Sequence, residues 1–471
     1  MLRASNIVRA RIVPTVSFTR TFTTTPVVFD VRQKEGKKKQ VLKKKVDPNK
    51  KEVRKTTSLT HLPFRDAVRN LGLNKNAPVS KIEVLKLGNL QTGSMTSYPK
   101  KIESKLNIIG GFKRFQHHEM FDKPVSMITS NTTRLDSEFL EKLNGESKNN
   151  RIYIDGVKGS GKSTLVNQAI TLAYEKLNND VIVLHLDSGE LIGNGSSDYI
   201  KNNKLKLYQQ PMLTKRWIWK IMKTNEEIFK KLKLTKDTKF IKDKQEVVLK
   251  AGENTLFEYL KQNHEFGRIN PHLAFQYFIE QLVDHSKEIP VLLSIDNFNA
   301  FADYPLTKYK HPDFTPIHIN EFELGDFILK ASSGELNFTK GGVLLAKSND
   351  FALNRKTTHV GVYPNEEYDS YLKLPLFDFE IANRLASNGG ISPFKMNPLT
   401  KDETRSLMKF WKEQGVLIIR QDFHKKLYDD DVIGSIPELN QDEQFEKMVQ
   451  LLYVNNQGNP YGMIKQSMLS Y

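Results

Sequence analysis

The sequence contains no cysteine and no long apolar run. Without cysteine the chain forms no disulfide and offers no thiolate to zinc or to an iron–sulfur cluster, although this absence does not identify a compartment. No apolar run approaches the roughly 18 residues that span a bilayer. We therefore expect a soluble chain with no membrane span, at most peripheral to a membrane.

Acidic residues are missing from the first 29 positions, where arginine, serine and threonine are frequent. This composition is typical of a mitochondrial transit peptide. Arg9 and Arg11 interrupt the apolar core that a secretory signal needs. We predict a transit peptide at residues 1–22, removed after Phe22, and localisation in the mitochondrial matrix.

A basic tract follows this leader. Lysine and arginine are dense and apolar residues are few between residues 23 and 58, which predicts a disordered arm. The formal net charge of the whole chain is +17, an excess that favours a polyanion such as nucleic acid as partner. A solvated tail, improved solubility or an acidic protein partner are the alternatives.

Four short apolar runs alternate with segments of helical periodicity. A strand that is covered on both faces of a parallel sheet is expected to be almost continuously apolar. The predicted strands are Arg151–Asp155, Val181–Leu186, Val291–Ile295 and Val343–Ala346. Their alternation with helices predicts the α/β class, with a parallel sheet and helices on both faces.

These patterns divide the chain into predicted regions. Residues 59–150 lead into a nucleotide-binding domain at 151–395, with a lysine-rich insertion at about 202–267, and residues 396–471 form a C-terminal helical domain. Asp136 as N-cap and Gly145 as stop predict a short helix in the first region. Thr400 and Glu403 form a capping box that begins a helix in the last.

The lysine-rich insertion contains two tryptophans and paired charges. Trp217 and Trp219 could stack on bases, but the helical spacing of their apolar neighbours favours core packing or a protein contact. Glu226 precedes Lys230 by four residues, which predicts an ion pair on an exposed helix.

The segment between the first predicted strand and the following helix matches the phosphate-binding P-loop pattern. Glycines let the backbone wrap around phosphates, amide N–H groups point inward, and the helix N-terminus adds its positive dipole end. A chance match in a chain of this length has a probability of only about one or two in a hundred. The predicted nucleotide-binding residues are Gly156, Lys158, Gly159, Ser160, Gly161, Lys162, Ser163, Thr164 and Asp296.

The pattern assigns roles to four groups. Lys162 reaches the β- and γ-phosphates, Ser163 ligates Mg²⁺, and Asp296, at the tip of the third predicted strand, holds Mg²⁺ through water. Ser348 or Asn349, after the next strand, is the candidate γ-phosphate sensor.

Asn297 occupies the position where many hydrolytic ATPases of this architecture have a glutamate. An amide cannot accept a proton at neutral pH, so we expect tight nucleotide binding with slow or no turnover, and assign no catalytic residue. Glu190 or Asp303 could substitute, but the sequence does not place them. No Asn-Lys-x-Asp motif reads a guanine ring, so GTP or GDP and ATP stay open.

Taken together, the leader, the basic arm, the P-loop, Ile295-Asp296-Asn297 and Gly458-Asn459-Pro460 resemble the death-associated protein three family. That family is the P-loop protein of the mitochondrial small ribosomal subunit, and the chain looks like a fungal member. The resemblance covers roughly residues 60–471, and the leader and arm match only in composition.

The resemblance implies a P-loop NTPase fold of the AAA-like or signalling-ATPase type, with strand order 5-1-4-3-2 and a C-terminal helical lid. It also implies contacts with small-subunit rRNA, neighbouring ribosomal proteins and the large subunit, with the nucleotide as a structural ligand. A matrix ATPase that remodels nucleic acid or protein is the alternative function. A small-molecule kinase is a third, which no acceptor-binding signature supports.

Overall fold

The computed structural model describes residues 82–113, 116–121, 123–242, 245–262, 273–351, 356–365, 377–417 and 441–469. The predicted transit peptide, residues 1–22, and the predicted basic arm, residues 23–58, lie outside these residues. The domain boundaries stay predictions. No helix in the described part of the chain has both the length and the apolar character needed to cross a membrane.

Short strands are distributed along the described residues. In chain order they are β1 Glu83–Val84, β2 Met95–Ser97, β3 Val125–Met127, β4 Arg151–Asp155, β5 Ile182–Leu186, β6 Ile200–Asn202, β7 Leu207–Gln209, β8 Thr238–Lys242, β9 Gln245–Leu249, β10 Val291–Ile295, β11 Leu306–Lys310, β12 Pro316–His318, β13 Gly341–Ala346 and β14 Ser392–Lys395.

Helices separate most of these strands. They are α1 Lys100–Ile109, α2 Ser130–Glu138, α3 Lys162–Lys176, α4 Pro211–Thr224, α5 Glu226–Phe229, α6 Leu256–Gln262, α7 Ala274–His285, α8 Phe298–Ala302, α9 Glu323–Ser333, α10 Thr357–Val362, α11 Phe379–Ala386, α12 Lys401–Glu413, α13 Gln441–Asn456 and α14 Pro460–Leu469.

Five strands form a parallel sheet in the spatial order β14-β4-β13-β10-β5. Leu345 on β13 lies opposite Tyr153 on β4 and Ile295 on β10, so the strands end at one edge in register. Numbered along the chain, this is the order 5-1-4-3-2. The predicted α/β class, the parallel sheet and the strand order implied by the resemblance are confirmed.

Alternate strand residues face two different cores, because successive side chains of a strand point to opposite faces. Tyr153 and Leu293 pack with residues of α4, α7 and α9. Ile152 and Leu292 pack on the other face with residues of α3. Helices therefore cover both faces of the sheet, as predicted.

The edge strand β14 is absent from the predicted strands. It is four residues long, contains Pro393, and only Phe394 of the four is buried. Proline is tolerated at an edge because the missing N–H faces no partner strand. A short, mostly exposed edge strand has no continuous apolar run, which is why the pattern that identified the other four strands does not reveal it.

The predicted N-cap at Asp136 is wrong. Helix α2 begins earlier, with a capping box between Thr129 and Thr132. Asp136 lies inside the helix, where its Oδ1 accepts a hydrogen bond of 2.9 Å from Nζ of Lys176. The predicted stop also differs: α2 ends at Glu138, and Gly145 instead ends a separate 3₁₀ helix, Leu140–Asn144.

Within the described part of the lysine-rich insertion, α4 packs against the sheet. Trp217 is 2% exposed, packs between Phe275 and Phe327, and donates its indole N–H to the carbonyl of His185 at 2.8 Å. Trp219 is 45% exposed. Core packing is therefore confirmed for the first tryptophan.

The ion pair and the capping box that the sequence predicts are both present. Lys230 and Glu226 form the expected i,i+4 ion pair at 2.7 Å. The capping box of Thr400 and Glu403 begins α12. Helices α12, α13 and α14 share a core of their own, which includes Trp411.

Candidate nucleotide-binding site

The loop between β4 and α3 has a backbone conformation with positive φ values, which its glycines permit. Gly159 and Gly161 have φ values of 80° and 94°, in the left-handed region, and Gly161 is the N-cap of α3. A Cβ atom on Gly159 would lie 2.3 Å from Cβ of Tyr461, so only glycine fits there. The loop therefore contacts the beginning of α14.

Lys162 is buried at the first turn of α3. Its ammonium donates to the carbonyls of Gly156 at 2.9 Å and Val157 at 2.7 Å, and to Oδ1 of Asn349 at 3.0 Å. Burial lowers the pKa of Lys162 to about 8, although nearby carboxylates, among them Asp296, offset part of that effect. The ammonium is thus tied to the loop that precedes it.

Ser163 and Asp296 meet at the edge where the strands end. The Ser163 hydroxyl donates to Oδ2 of Asp296 at 2.6 Å, and the backbone N–H of Asn297 donates to Oδ1 at 2.9 Å. Asp296 is 2% exposed. The sequence placed these two residues 133 positions apart, and the parallel sheet brings them into contact.

The two sensor candidates have different surroundings. Asn349 contacts the Lys162 ammonium, as described above. Ser348 is tied through its backbone to Asn299, with its N–H 2.6 Å from Oδ1 and its carbonyl 2.8 Å from Nδ2 of that side chain. The structure therefore places Asn349, and not the Ser348 backbone, beside the predicted phosphate-binding lysine.

The remaining predicted loop residues lie at the rim. The Lys158 side chain is exposed and pairs with Asp350, while its carbonyl accepts a hydrogen bond of 2.7 Å from Nδ2 of Asn459. The Ser160 hydroxyl lies 3.7 Å from the sulfur of Met396, and Thr164 is half-buried in the first turn of α3. Asn459 belongs to the Gly458-Asn459-Pro460 motif, which thus contacts the loop directly.

Of the two acids that the sequence did not place, Glu190 lies at the site. Nδ2 of Asn297 donates to Oε2 of Glu190 at 3.1 Å. Asp303 instead accepts the N–H and the hydroxyl of Thr358 at 2.7 Å and 2.8 Å, and burial raises its pKa to about 6. Only Glu190 is within reach of the position that a catalytic glutamate would take.

Lys113 is a site residue that sequence reasoning missed. Its ammonium lies 2.5 Å from Oδ2 of Asp296. The residue stands 49 positions before Lys162, outside the predicted domain, and the pair Gly110-Gly111 before it is a local signal of an unusual backbone.

The oxygens present fit a nucleotide-bound Mg²⁺. Among the described residues, no three His, Cys, Asp or Glu side chains are grouped to hold a metal ion. Mg²⁺ bound with a nucleotide does not need such a group, because it uses one or two protein oxygens together with phosphates and waters. The Ser163 hydroxyl and the Asp296 carboxylate are oxygens of this kind.

The histidines have structural surroundings. His185 is buried on β5, its Nδ1 lies 2.7 Å from the Ser294 hydroxyl, and burial lowers its pKa to about 4. Burial also lowers the pKa of His118 to about 4, with the neighbouring His117 adding to the effect. Both rings are therefore neutral at physiological pH.

The parallel sheet, the glycine-rich loop before α3 and the buried acid after β10 define an α/β protein with a candidate phosphate site at the carboxyl ends of its strands. Residues 126–465 match the model of the family described as mitochondrial ribosomal death-associated protein 3, and the chain belongs to that family. The family resemblance drawn from the sequence is confirmed.

Two fungal proteins are similar over most of their length. The chain is 26% identical over 387 residues to small ribosomal subunit protein mS29 of Schizosaccharomyces pombe, covering 80% of this chain and 77% of that protein. It is 22% identical over 369 residues to small ribosomal subunit protein mS29 of Neurospora crassa, covering 74% of each.

Proposed function

We propose that this chain is a component of the small subunit of the mitochondrial ribosome and that it binds a purine nucleotide with Mg²⁺ as a structural ligand. Its family and the printed names of both fungal relatives support the ribosomal part. One observation carries the nucleotide part: Lys162, Ser163 and Asp296 lie together behind a glycine-rich loop that opens a helix.

The strand order and this loop support assignment to the P-loop NTPases of the AAA-like or signalling-ATPase type. Loop amides and the dipole of α3 would bind the phosphates. Lys162 would exchange its bonds to Gly156 and Val157 for bonds to the β- and γ-phosphates, and Asn349, already beside it, is the better placed sensor. Helices α12 to α14 would serve as the lid, since Asn459 contacts the loop.

The proposed ligand is either an adenine or a guanine nucleotide. The chain lacks an Asn-Lys-x-Asp motif, so the sequence does not choose between GTP or GDP and ATP. A ligand that binds only the folded chain stabilises it by about 4 kcal/mol at a thousandfold excess over its Kd. A nucleotide with this role need not be hydrolysed.

Turnover of the purified full-length chain should be slow. A general base contributes roughly 10²- to 10⁴-fold, and Asn297 supplies none, so phosphate release below about 0.1 s⁻¹ is expected. Glu190→Gln should leave nucleotide affinity unchanged, because Glu190 contacts Asn297 and not the loop.

The position of Glu190 is also the one observation that favours the second candidate function, a matrix ATPase that remodels nucleic acid or protein. Rapid phosphate release that Glu190→Gln abolishes, in a chain that retains its nucleotide affinity, would support that candidate. It would also contradict a purely structural nucleotide.

The ribosomal part is tested by sedimentation of a gently lysed mitochondrial extract, with this chain tracked against small-subunit rRNA. We expect co-migration that survives moderate salt, since the proposal includes contacts with rRNA, neighbouring ribosomal proteins and the large subunit in the matrix. Migration as a free monomer or ring at low salt would contradict it.

The basic arm is tested in the same gradients. Replacing the lysines and arginines of residues 34–55 by glutamine keeps the length but removes the charge. The variant should leave the small subunit at lower salt, because each lost phosphate contact removes binding affinity, and its affinity should also fall less steeply with salt. An unchanged salt slope would mean that the arm is only a solvated tail.

A further inference from the structure

A lysine side chain contacts the carboxylate that is proposed to hold the metal-bound water. Nζ of Lys113 lies 2.5 Å from Oδ2 of Asp296, and the Ser163 hydroxyl donates to the same oxygen at 2.6 Å. The other oxygen accepts the N–H of Asn297 at 2.9 Å. Every oxygen of this buried carboxylate therefore has a partner, and one of these partners is a cation.

The backbone before Lys113 is fixed to the phosphate-binding helix. The Gly111 carbonyl accepts a hydrogen bond of 2.8 Å from Nδ2 of Asn167 on α3, and its N–H donates to the carbonyl of Leu106 at 2.8 Å. A Cβ atom on Gly111 would lie 2.5 Å from Oδ1 of Asn167. The close approach that glycine allows thus holds the loop against α3, with the Lys113 ammonium directed at the strand edge.

The Lys113 side chain is 21% exposed and that of Asp296 is 3% exposed, so the pair is only weakly screened by solvent. An ion pair that is removed from water cannot lose one member without leaving a buried charge. A cation beside Asp296 is therefore stabilising, and Lys113 and a hydrated Mg²⁺ ion are the two candidates for the same oxygen.

We propose that the Lys113 ammonium is an intramolecular counter-cation at the Mg²⁺ position, so that nucleotide binding depends only weakly on Mg²⁺. The inference rests on the proposed nucleotide-binding function. Two effects of this ammonium reduce the dependence of nucleotide binding on Mg²⁺. Without metal, the ammonium neutralises Asp296, whose charge would otherwise repel the phosphates, and with metal it competes for the carboxylate.

The experiment measures the Kd of the full-length chain for fluorescent GDP and ADP analogues in excess Mg²⁺ and in EDTA. The readout for each analogue is the Kd in EDTA divided by the Kd in excess Mg²⁺. For the wild type we expect a ratio below about tenfold. Lys113→Met should raise the ratio by about tenfold or more, because it removes a charge-assisted partner of Asp296. Lys113→Arg, which retains the charge, should keep the wild-type ratio.

Lys220→Met is the matched control. Lys220 is 18% exposed on its side chain and pairs with Asp187, just after the neighbouring strand β5, at 3.1 Å. This control loses a similar ion pair that does not involve Asp296, so its ratio should equal that of the wild type. Lys113→Gln, which keeps a donor without the charge, replaces the methionine variant if that variant does not fold.

Equal ratios in the wild type, Lys113→Met and Lys113→Gln would overturn this inference and leave the proposed function in place. A rise in Lys220→Met as large as that in Lys113→Met would also overturn it, because the effect would then not be specific to Asp296. If the wild type binds neither analogue in excess Mg²⁺, the proposed function fails and the inference fails with it.

Discussion

Lys162→Ala should strongly weaken nucleotide binding and remove most of the stabilisation that nucleotide gives. Charge-assisted hydrogen bonds contribute about 1.5–3 kcal/mol each, so losing the contacts to two phosphates should raise Kd by roughly 100-fold or more. At a nucleotide concentration that stabilises the wild type by about 4 kcal/mol, the variant should gain less than about 2 kcal/mol. Chemical denaturation with and without nucleotide measures both effects, and assembly into the small subunit should fall with them.

Without nucleotide, this variant should unfold close to the wild type. Burial lowers the pKa of Lys162, which means that the folded protein holds this ammonium at a desolvation cost. Lys158→Ala is the control, because its exposed side chain pairs only with Asp350 at the rim of the same loop. A Lys162→Ala chain that keeps wild-type affinity would contradict the proposed site.

Gly458→Ala should have the second largest effect. Gly458 has a φ of 72°, and a Cβ atom there would lie 2.3 Å from the backbone oxygen of Leu399. The two residues are joined by a hydrogen bond of 3.0 Å, so neither backbone can move independently. We expect a loss of about 2–4 kcal/mol in the free energy of unfolding, from backbone strain and collision together.

The same substitution should loosen the start of α14. Asn459 follows Gly458 and contacts the loop, so nucleotide affinity should fall and hydrogen exchange over residues 460–469 should rise. Gly389→Ala is the matched control, because Gly389 has a φ of 87° with nothing within 4 Å of its Cβ position. Equal destabilisation by the two substitutions would mean that strain alone matters and that the contact with Leu399 does not.

The parts of the fold that the sequence predicts are those in which one local pattern has one physical cause. Val291–Ile295 and its neighbours are continuously apolar because both faces of the sheet are covered. The glycine-rich loop is predictable because φ values near 80–94° favour glycine. Asn297 could be identified from its position alone, directly after Asp296.

The residues that escaped prediction depend on contacts across the fold. Lys113 reaches Asp296 from a loop in which Gly111 packs on Asn167, and no spacing in the sequence encodes that distance. Glu190 was one of two candidate acids. Only the folded structure distinguishes them, because Glu190 contacts Asn297 whereas Asp303 contacts Thr358. Helix α2 is capped seven residues before Asp136 because the side chains of Thr129 and Thr132 form a capping box there.

The contact between Asn459 and the Lys158 carbonyl has a thermodynamic consequence. A ligand in the loop and a partner on helices α12 to α14 act on the same hydrogen bond, so their binding free energies are coupled. Such coupling is reciprocal. If a neighbour in an assembled particle fixes these helices and slows nucleotide loss, the nucleotide must strengthen that neighbour's attachment by the same factor. Nucleotide exchange would then be fastest in the free chain and slower once the chain is assembled.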